Sequence, residues 1–311
     1  MEGRRVDAFI GRRYRCMGSD KRLAVVLATA TAIIWGLSFL SIKTAVSVLP
    51  PMTLGLARFI IASIILLGIF IVRRKKPRLT LRDLPAMAGA GLVGVTLYFL
   101  GENNGVLLLS ASEASLIVGT IPVLTMIAER IFIRSKLTAI QYLGASASAI
   151  GVTLIVVESL RLSPSPLGYL YMSLAALSWV LYSFITRPLL SRYDSLEVTF
   201  WQSLFGAIGF VPFAFAERFD IAAVSPVIVA NVLYLGIFCS AIGYLFYVAS
   251  LKTLGAGVSS VFINLIPVVS VAASFVLLGE RLSLIQMLGG GIAIGGVYMA
   301  SLSKAGKPER K

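Results

Sequence analysis

Histidine is absent from this 311-residue chain, and cysteine occurs only twice. The lack of histidine removes the side chain that proteins use most often for acid–base catalysis and as a metal ligand. Cys16 and Cys239 lie in different regions, so neither a disulfide framework nor a Cys-x-x-Cys metal cluster is expected. Charged residues are also scarce: they make up 14% of the chain, where soluble domains carry about 25%. The composition therefore predicts neither an enzyme nor a cofactor-binding protein.

Apolar residues dominate what is present, at 58% of the chain, and the mean hydropathy is +0.91. Such a composition is typical of a multi-pass membrane protein. Most of the apolar runs reach the roughly 20 residues that a helix needs to cross a bilayer. We predict an all-α membrane protein with ten transmembrane helices at about 23–48, 52–72, 84–106, 112–133, 137–157, 167–186, 196–216, 225–250, 256–278 and 284–302.

The sequence is duplicated. Pro122 recurs as Pro267, 145 residues later, and Trp35 is followed by Trp179 after 144 residues. Five spans per copy, an odd number, would place the second copy upside down relative to the first. Inverted repeats with a site between the copies are a common plan of secondary transporters. We expect five parts: a basic N-terminal segment (1–22), a first five-helix repeat (23–157), a linker (158–166), a second five-helix repeat (167–302) and a basic tail (303–311).

The basic residues indicate the orientation. If the N-terminus is cytoplasmic, 23 of the 28 Lys and Arg residues lie on the inner side and three on the outer side, with Lys43 and Arg58 inside spans. This bias favours ten spans with both termini in the cytoplasm, in the inner (plasma) membrane. Because the basic clusters flank apolar segments, the net charge of +14 is not interpreted as affinity for nucleic acid.

Pro122 and Pro267 fall near the middle of spans four and nine. A proline inside a helix cannot donate its backbone hydrogen bond, so the carbonyl four residues earlier loses its partner. Such a carbonyl is costly in hydrocarbon unless it faces protein, water or a ligand. Gly119 and Thr120 precede the first proline and Asn264 precedes the second, which makes these five residues candidate walls of a central cavity. Kinks that serve packing alone are the alternative.

Deep aromatic residues form a second candidate set. Tryptophans of an interfacial belt lie at the headgroup level, whereas Trp35 and Trp179 lie in the middle of their spans. Tyrosine hydroxyls in the apolar zone each need a hydrogen-bond partner. An aromatic pocket with a few hydroxyl groups would suit an amphiphilic solute such as an amino acid; the alternative is that the rings only pack helices or face lipid. The candidates are Trp35, Ser38, Tyr98, Trp179, Tyr182 and Tyr244.

Charged residues inside spans are candidates for coupling or gating, because ionisable groups in a membrane are expensive. The set comprises Lys43, Arg58 and Glu102, with Asn103 beside the glutamate. Their positions also allow all three charges to lie near the outer interface, where long side chains reach water. Since no acidic residue is clearly placed at mid-membrane, we expect a facilitator, or coupling through Glu102.

Small residues recur at four-residue spacing in spans five and ten, in the runs 144–151 and 289–296. Such surfaces allow close approach of helices in lipid. These two spans are therefore expected to meet each other or to brace the fold, without a direct functional role.

Together these motifs resemble the drug/metabolite transporter superfamily, and within it the EamA family, over residues 23–302. The resemblance rests on Trp35-Gly-Leu-Ser-Phe39, on Arg58-Phe59, on the small-residue runs before each proline, and on Gly279-Glu280-Arg281, which matches the family's Gly-Glu-Arg turn. Within the superfamily the chain looks most like the YddG-type exporters of amino acids. That likeness implies a cavity bounded by spans one, three, four, six, eight and nine, with alternating access by rocking of the two halves.

The sequence thus predicts an exporter of aromatic or other hydrophobic amino acids, or of similar small metabolites. A cationic-compound exporter and a nucleotide-sugar-type exchanger are the alternatives. The first would want a buried carboxylate, and the second would want converging Lys and Arg side chains at mid-membrane. A membrane-embedded enzyme or assembly factor would need a catalytic constellation that this sequence does not offer. The expected partners are a small solute and the lipid bilayer, and both a monomer and a homodimer remain open.

Overall fold

The computed structural model describes residues 2–109, 114, 117–133, 138–159, 165–278 and 284–302. Within these ranges the chain is helical and contains no strand. The Gly279–Arg281 turn, most of the predicted linker and the predicted tail lie outside the described residues.

We number the helices of the described ranges in chain order. They are α1 (Glu2–Val46), α2 (Pro51–Val72), α3 (Leu84–Leu108), α4 (Ile121–Ala128, continued by a π-helical turn at Glu129–Ile133), α5 (Ala139–Ser159), α6 (Pro166–Leu189), α7 (Ser195–Ala214), α8 (Pro226–Leu254), α9 (Leu265–Leu278, preceded by Ala256–Val261 and a 3₁₀ turn at Phe262–Asn264) and α10 (Leu284–Leu302).

Six of these helices are long and apolar enough to cross a membrane, namely Asp20–Val46 of α1 together with α2, α3, α6, α7 and α8. The protein is therefore a multi-pass membrane protein. One boundary differs from the prediction: α1 begins at Glu2, so the basic segment 1–22 continues into the first span as one helix. Residues 2–22 contain no proline, and nothing in them ends a helix before the apolar run starts.

The helix starts follow local sequence rules. Pro51 and Pro226 occupy the first turns of α2 and α8, where a missing backbone N–H costs nothing. Asp194 and Glu197 form a capping box at the start of α7, in which each side chain accepts a hydrogen bond from the other residue's backbone N–H.

Helices α5 and α10 pack directly against each other, which confirms the expectation from their small residues. A Cβ atom added to Gly144 would lie 2.6 Å from the carbonyl oxygen of Gly296, and one added to Gly151 would lie 2.5 Å from that of Gly289. Gly144 and Gly289 are equivalent in the duplication, as are Gly151 and Gly296. Because each glycine meets the equivalent of the other, the two helices run antiparallel.

Helices α2 and α7 also run antiparallel. Phe59 stacks on Phe210 with ring centroids 6.1 Å apart, and Phe70 contacts Phe200 at 5.6 Å. At one end of this pair the Glu217 carboxylate accepts the backbone N–H groups of Met52 at 3.1 Å and Thr53 at 2.7 Å. At the other end the Nε atom of Arg78 lies 2.9 Å from the Glu197 carboxylate. The second helix of each predicted copy is thus tied to the other copy at both ends.

The α2–α3 connection is fastened to the α6–α7 connection through Asp83. This carboxylate pairs with Arg192 and accepts hydrogen bonds from the hydroxyls of Tyr193 at 2.9 Å and Thr80 at 3.1 Å. Partial burial acts to raise the pKa of Asp83, but the bonds from Tyr193, Thr80 and Arg192 outweigh it, so the pKa is lowered. Asp83 therefore remains ionised near neutral pH and holds the two connections together.

Candidate functional site

The site begins with two irregular turns that occupy equivalent places. Helix α3 contains a π-helical segment at Leu92–Leu97, and α8 contains one at Leu235–Gly243. A π turn disturbs the regular hydrogen-bond ladder, and such turns are frequent at functional sites. The carbonyl of Gly94 accepts a bond from the Tyr244 hydroxyl at 3.0 Å, and the carbonyl of Cys239 accepts one from the Trp35 indole at 3.0 Å.

Both predicted proline sites are interrupted. The chain turns at Gly119 and Thr120, and Pro122 then lies in the first turn of α4. Before Pro267 the 3₁₀ turn at Phe262–Asn264 separates two helical pieces. Both prolines follow a break in the helix, where they were predicted to kink a continuous one, and this placement avoids the loss of a helical hydrogen bond.

The deep aromatic residues come together in one cluster. Trp35 and Trp179 meet edge to face with ring centroids 5.3 Å apart. Tyr98 lies 5.0 Å from Trp179, and Tyr244 lies 5.5 Å from Trp35. The indole N–H of Trp179 donates to the hydroxyl of Tyr247 at 3.1 Å. Residues from four helices thus present ring faces and edges to a common centre.

A cavity opens beside this cluster; the space between its lining atoms is about 330 Å³ and includes a part that is open to solvent. Helices α1, α3, α6, α8 and α9 and the segment before α4 contribute to it, as the family resemblance implied. Helix α2 contributes as well, through Arg58. The lining residues are Trp35, Ser38, Phe39, Arg58, Tyr98, Phe99, Glu102, Val118, Trp179, Tyr244 and Ile266.

Arg58 is 2% exposed and reaches the cavity from α2. Its Nε atom donates to the Ser240 hydroxyl at 2.8 Å. The guanidinium carbon lies 4.3 Å from the centre of the Phe99 ring, a cation–π distance, and 5.8 Å from that of Phe59. The Nη1 atom is buried and has no hydrogen-bond partner among the described residues.

Glu102 lies in the same cavity and is 6% exposed. Its Oε1 atom accepts the Tyr98 hydroxyl at 2.8 Å. The neighbouring Asn103 is directed elsewhere and donates to the carbonyl of Pro51 at 2.8 Å. Arg58 and Glu102 are both buried within the protein, beside the aromatic cluster.

Lys43 has a different environment. Its ammonium donates to the carbonyls of Val106 at 2.8 Å and Leu109 at 3.1 Å, at the C-terminal end of α3. A cation there satisfies the last carbonyls and complements the helix dipole. Arg187, which follows Lys43 by 144 residues, pairs with Glu129 at 3.2 Å. Lys43 stabilises a helix end and Arg187 forms an ion pair, and neither residue lines the cavity described above.

The remaining candidates divide into buried and exposed residues. Tyr182 is fully buried, with its ring 5.3 Å from that of Trp179. Ser38 lines the cavity and donates to the carbonyl of Trp35 at 2.7 Å. Thr120 is exposed, and its hydroxyl donates to the carbonyl of Ile117 at 2.6 Å. It was predicted to line the cavity but is not among the lining residues given above. This bond already satisfies the hydroxyl within its own turn.

Gly119, Pro122 and Pro267 are buried. Asn264 is also fully buried, and neither polar atom of its side chain has a hydrogen-bond partner among the described residues. Buried polar groups are normally paired, so this amide is the most conspicuous exception near the second break.

A second, smaller cavity also has Trp35 in its lining. Thr31, Tyr247 and Ser259 contribute its polar groups, while Ala28 and Ala32 line it from α1. Trp35 therefore borders both cavities.

Three residues that surround Arg58 were not predicted as site residues. Phe99 and Phe59 flank the guanidinium, and Ser240 anchors it. Phe59 and Phe99 adjoin predicted residues, so the neighbours of Arg58 and Tyr98 could have signalled them. Nothing in the sequence connects Ser240 to Arg58, which lies 182 positions away. Across the described residues there is no group of three or more Cys, Asp or Glu side chains placed to hold a metal ion.

Comparison with known proteins agrees with this architecture. The profile of the EamA-like transporter family matches residues 22–157 and again residues 166–302. An uncharacterized transporter of Archaeoglobus fulgidus is 30% identical over 275 residues, which covers 88% of this chain and 97% of that protein. A probable terminal-alkyne amino-acid exporter of Streptantibioticus cattleyicolor is 28% identical over 287 residues, covering 91% and 95%. One crystal structure with 20% identity superposes with a TM-score of 0.71 over 90% of this chain and 97% of its own, and so shares the fold.

Proposed function

The chain belongs to the EamA-like transporter family, and from that premise we propose that it exports aromatic or other hydrophobic amino acids, or similar small metabolites. The site of transport is the cavity between the two copies. The proposed location is the inner (plasma) membrane, with both termini in the cytoplasm.

One observation carries the proposal: an aromatic cavity that also holds one buried cation and one buried anion. Trp35, Trp179 and Tyr244 supply apolar faces for a side chain, and Arg58 and Glu102 supply opposite charges. Pockets for small molecules are mostly apolar with a few placed polar groups that fix orientation. The relation to the Streptantibioticus cattleyicolor protein, named a probable terminal-alkyne amino-acid exporter, supports an amino acid as the solute.

Alternating access follows from the proposed inversion of the two copies. Helices α5 and α10 are equivalent in the duplication and pack antiparallel to each other. Helices α2 and α7 are likewise equivalent and antiparallel. The π segments of α3 and α8 likewise fall in equivalent positions. These relations support a two-fold axis between the copies, about which rocking would expose the cavity to each side in turn. Trp35 lines both cavities, which supports a place for this ring on the path.

An exporter of organic cations is the second candidate, because Glu102 lies among aromatic faces that attract cations. Arg58 in the same cavity repels a cation and disfavours this reading. A nucleotide-sugar-type exchanger is weaker still, since the second in-span cation, Lys43, is committed to backbone carbonyls.

The decisive experiment is counterflow in proteoliposomes. Purified protein is reconstituted into liposomes that are preloaded with unlabelled L-phenylalanine, L-leucine or propargylglycine. Uptake of the labelled amino acid is then followed with and without a pH gradient. We expect counterflow for at least one of them. A gradient effect that disappears in Glu102→Gln would assign proton coupling to this carboxylate, and no effect would indicate a facilitator.

The controls are empty liposomes and liposomes challenged with a labelled organic cation or a labelled nucleotide sugar. Lack of counterflow for every amino acid, with flux of the cation instead, would replace the first candidate by the second.

A further inference from the structure

Arg58 and Glu102 face one cavity without forming an ion pair. Both side chains line it. Yet, although both residues are described, no nitrogen of Arg58 lies within 4.0 Å of an oxygen of Glu102. Buried opposite charges normally pair directly, because removal from water is costly for each. Opposite charges that share a cavity without pairing can each bind a group of opposite sign on a third molecule.

Arg58 is held so that one end remains free. The Ser240 hydroxyl engages Nε at 2.8 Å, and the Phe99 ring supports the guanidinium from 4.3 Å. Nη1 is buried with no partner among the described residues. An unpaired buried donor on a charged group is unfavourable unless a ligand satisfies it. The planar fork of a guanidinium matches a carboxylate in geometry and charge.

Glu102 is held by a local bond. Its Oε1 atom accepts the Tyr98 hydroxyl at 2.8 Å. Tyr98 itself packs on Trp179 with ring centroids 5.0 Å apart, which fixes the hydroxyl that positions the carboxylate. A carboxylate accepts from an ammonium group as well as from a hydroxyl.

We propose that Arg58 and Glu102 form a two-pole site that binds the α-carboxylate and the α-ammonium group of a zwitterionic amino acid, Arg58 the carboxylate and Glu102 the ammonium. The inference rests on the proposed function and adds how the site distinguishes an amino acid from other solutes. An α-amino acid carries both charges on one carbon and can span the two poles. An amine or a carboxylic acid with the same side chain leaves one buried charge unpaired, and such sites reject the analogue that lacks the expected group.

The test compares three ligands that share a side chain: L-phenylalanine, phenethylamine without the carboxylate, and 3-phenylpropionate without the ammonium. Their Kd values are measured by calorimetry on the full-length protein in detergent. For the wild type we expect L-phenylalanine to bind at least about tenfold more tightly than either analogue, the factor of one charge-assisted hydrogen bond.

We expect Arg58→Gln and Glu102→Gln each to remove one of the two preferences for L-phenylalanine over its analogues. In Arg58→Gln the advantage of L-phenylalanine over phenethylamine should disappear, while its advantage over 3-phenylpropionate remains. In Glu102→Gln the reverse is expected. Arg58→Lys keeps the charge but not the fork, so it should retain part of the preference. Matched exchanges outside the cavity, Arg78→Gln and Glu197→Gln, should leave both ratios unchanged.

Three results would overturn the inference. One is equal binding of all three ligands, or no L-phenylalanine binding, in the wild type. Another is an equal loss of affinity for all three ligands in both Arg58→Gln and Glu102→Gln, provided that each variant still unfolds cooperatively. The last is that the ratios between the Kd values of the three ligands are the same in both variants as in the wild type. If Arg58→Gln does not fold, the wild-type series and Glu102→Gln still decide. Counterflow of L-phenylalanine without a preference for the zwitterion rejects the two-pole site and leaves amino-acid export standing, whereas absence of any amino-acid flux rejects the proposed function.

Discussion

Gly94 and Cys239 are separated by 145 residues, and the backbone carbonyl of each accepts a hydrogen bond from an aromatic side chain of the other half. The Tyr244 hydroxyl lies 3.0 Å from the Gly94 oxygen, and the Trp35 indole nitrogen lies 3.0 Å from the Cys239 oxygen. Both carbonyls belong to π segments. The irregular turns therefore supply the carbonyls that hold two of the rings lining the cavity.

Tyr244→Phe should destabilise the protein by about 1–3 kcal/mol, because it leaves the Gly94 carbonyl buried without its partner. The ring and its packing are kept, so the loss reports the hydrogen bond. Thermal unfolding of the purified protein in detergent measures the difference.

Tyr142→Phe is the matched control, since this tyrosine of α5 is 37% exposed and removed from the cavity. It should unfold like the wild type. Equal stability of Tyr244→Phe and the control would show that the carbonyl finds another partner when the hydroxyl is removed.

Trp35→Ala and Trp179→Ala should each lower the counterflow rate about tenfold without lowering the amount of protein in the membrane. Each ring makes several aromatic contacts around the cavity, and each such contact is worth about 0.5–1.5 kcal/mol beyond burial. Trp35→Phe retains a ring but loses the bond to the Cys239 carbonyl, so its rate should lie between those of the wild type and the alanine variant.

Trp201→Ala provides the comparison, because the chain has three tryptophans and this one packs on Phe205 away from the cavity lining. Its transport rate per inserted molecule should be near that of the wild type. Normal transport in both cavity variants would reduce Trp35 and Trp179 to packing residues.

Much of the helix packing could be predicted from local sequence patterns. The close approach of α5 and α10 follows from glycines at four-residue spacing, because this effect depends on residue type and position alone. Pro122 and Pro267 indicated an irregularity in each copy, but the structure places the break before each proline and not at it. Trp35 and Trp179, at equivalent positions of the duplication, were predicted as members of one aromatic pocket, and their rings meet.

The charge arrangement could not be predicted in the same way. Arg58 and Glu102 lie near the ends of their spans in the sequence, which left an interfacial placement open. The position of the Arg58 guanidinium depends on packing between the predicted copies, because Ser240 from a distant helix holds it. The Glu102 carboxylate is held locally, by Tyr98 four residues earlier on the same helix. The π segments were missed because a single extra residue per turn leaves no clear trace in hydrophobic periodicity.

Asp83→Asn should lower the melting temperature at pH 7, and the difference should vanish in acid. The partners of Asp83 lower its pKa below the ordinary value of about 4. A group with a depressed folded-state pKa adds stability above its unfolded pKa and loses it as the pH falls through the folded pKa. The contribution should therefore be constant from pH 5 to pH 8 and should decline only below about pH 4.

Melting curves of the two proteins at a series of pH values test this. Asp220→Asn, a change at an exposed carboxylate, should show no such pattern. A stability difference that grows on acidification would contradict the assignment of an ionised Asp83.

Gly144→Ala should destabilise the protein by about 1–3 kcal/mol, because a Cβ atom there would lie 2.6 Å from backbone atoms of α10 and force the two helices apart. Gly291→Ala, on α10 itself, meets nothing within 4 Å and should cost nothing or add up to about 1 kcal/mol through helix propensity. Thermal unfolding in detergent compares the two. The opposite signs isolate the α5–α10 contact, since both variants add one methyl group to a helical glycine. If both changes were neutral, the close antiparallel approach of these helices would not contribute to the stability of the fold.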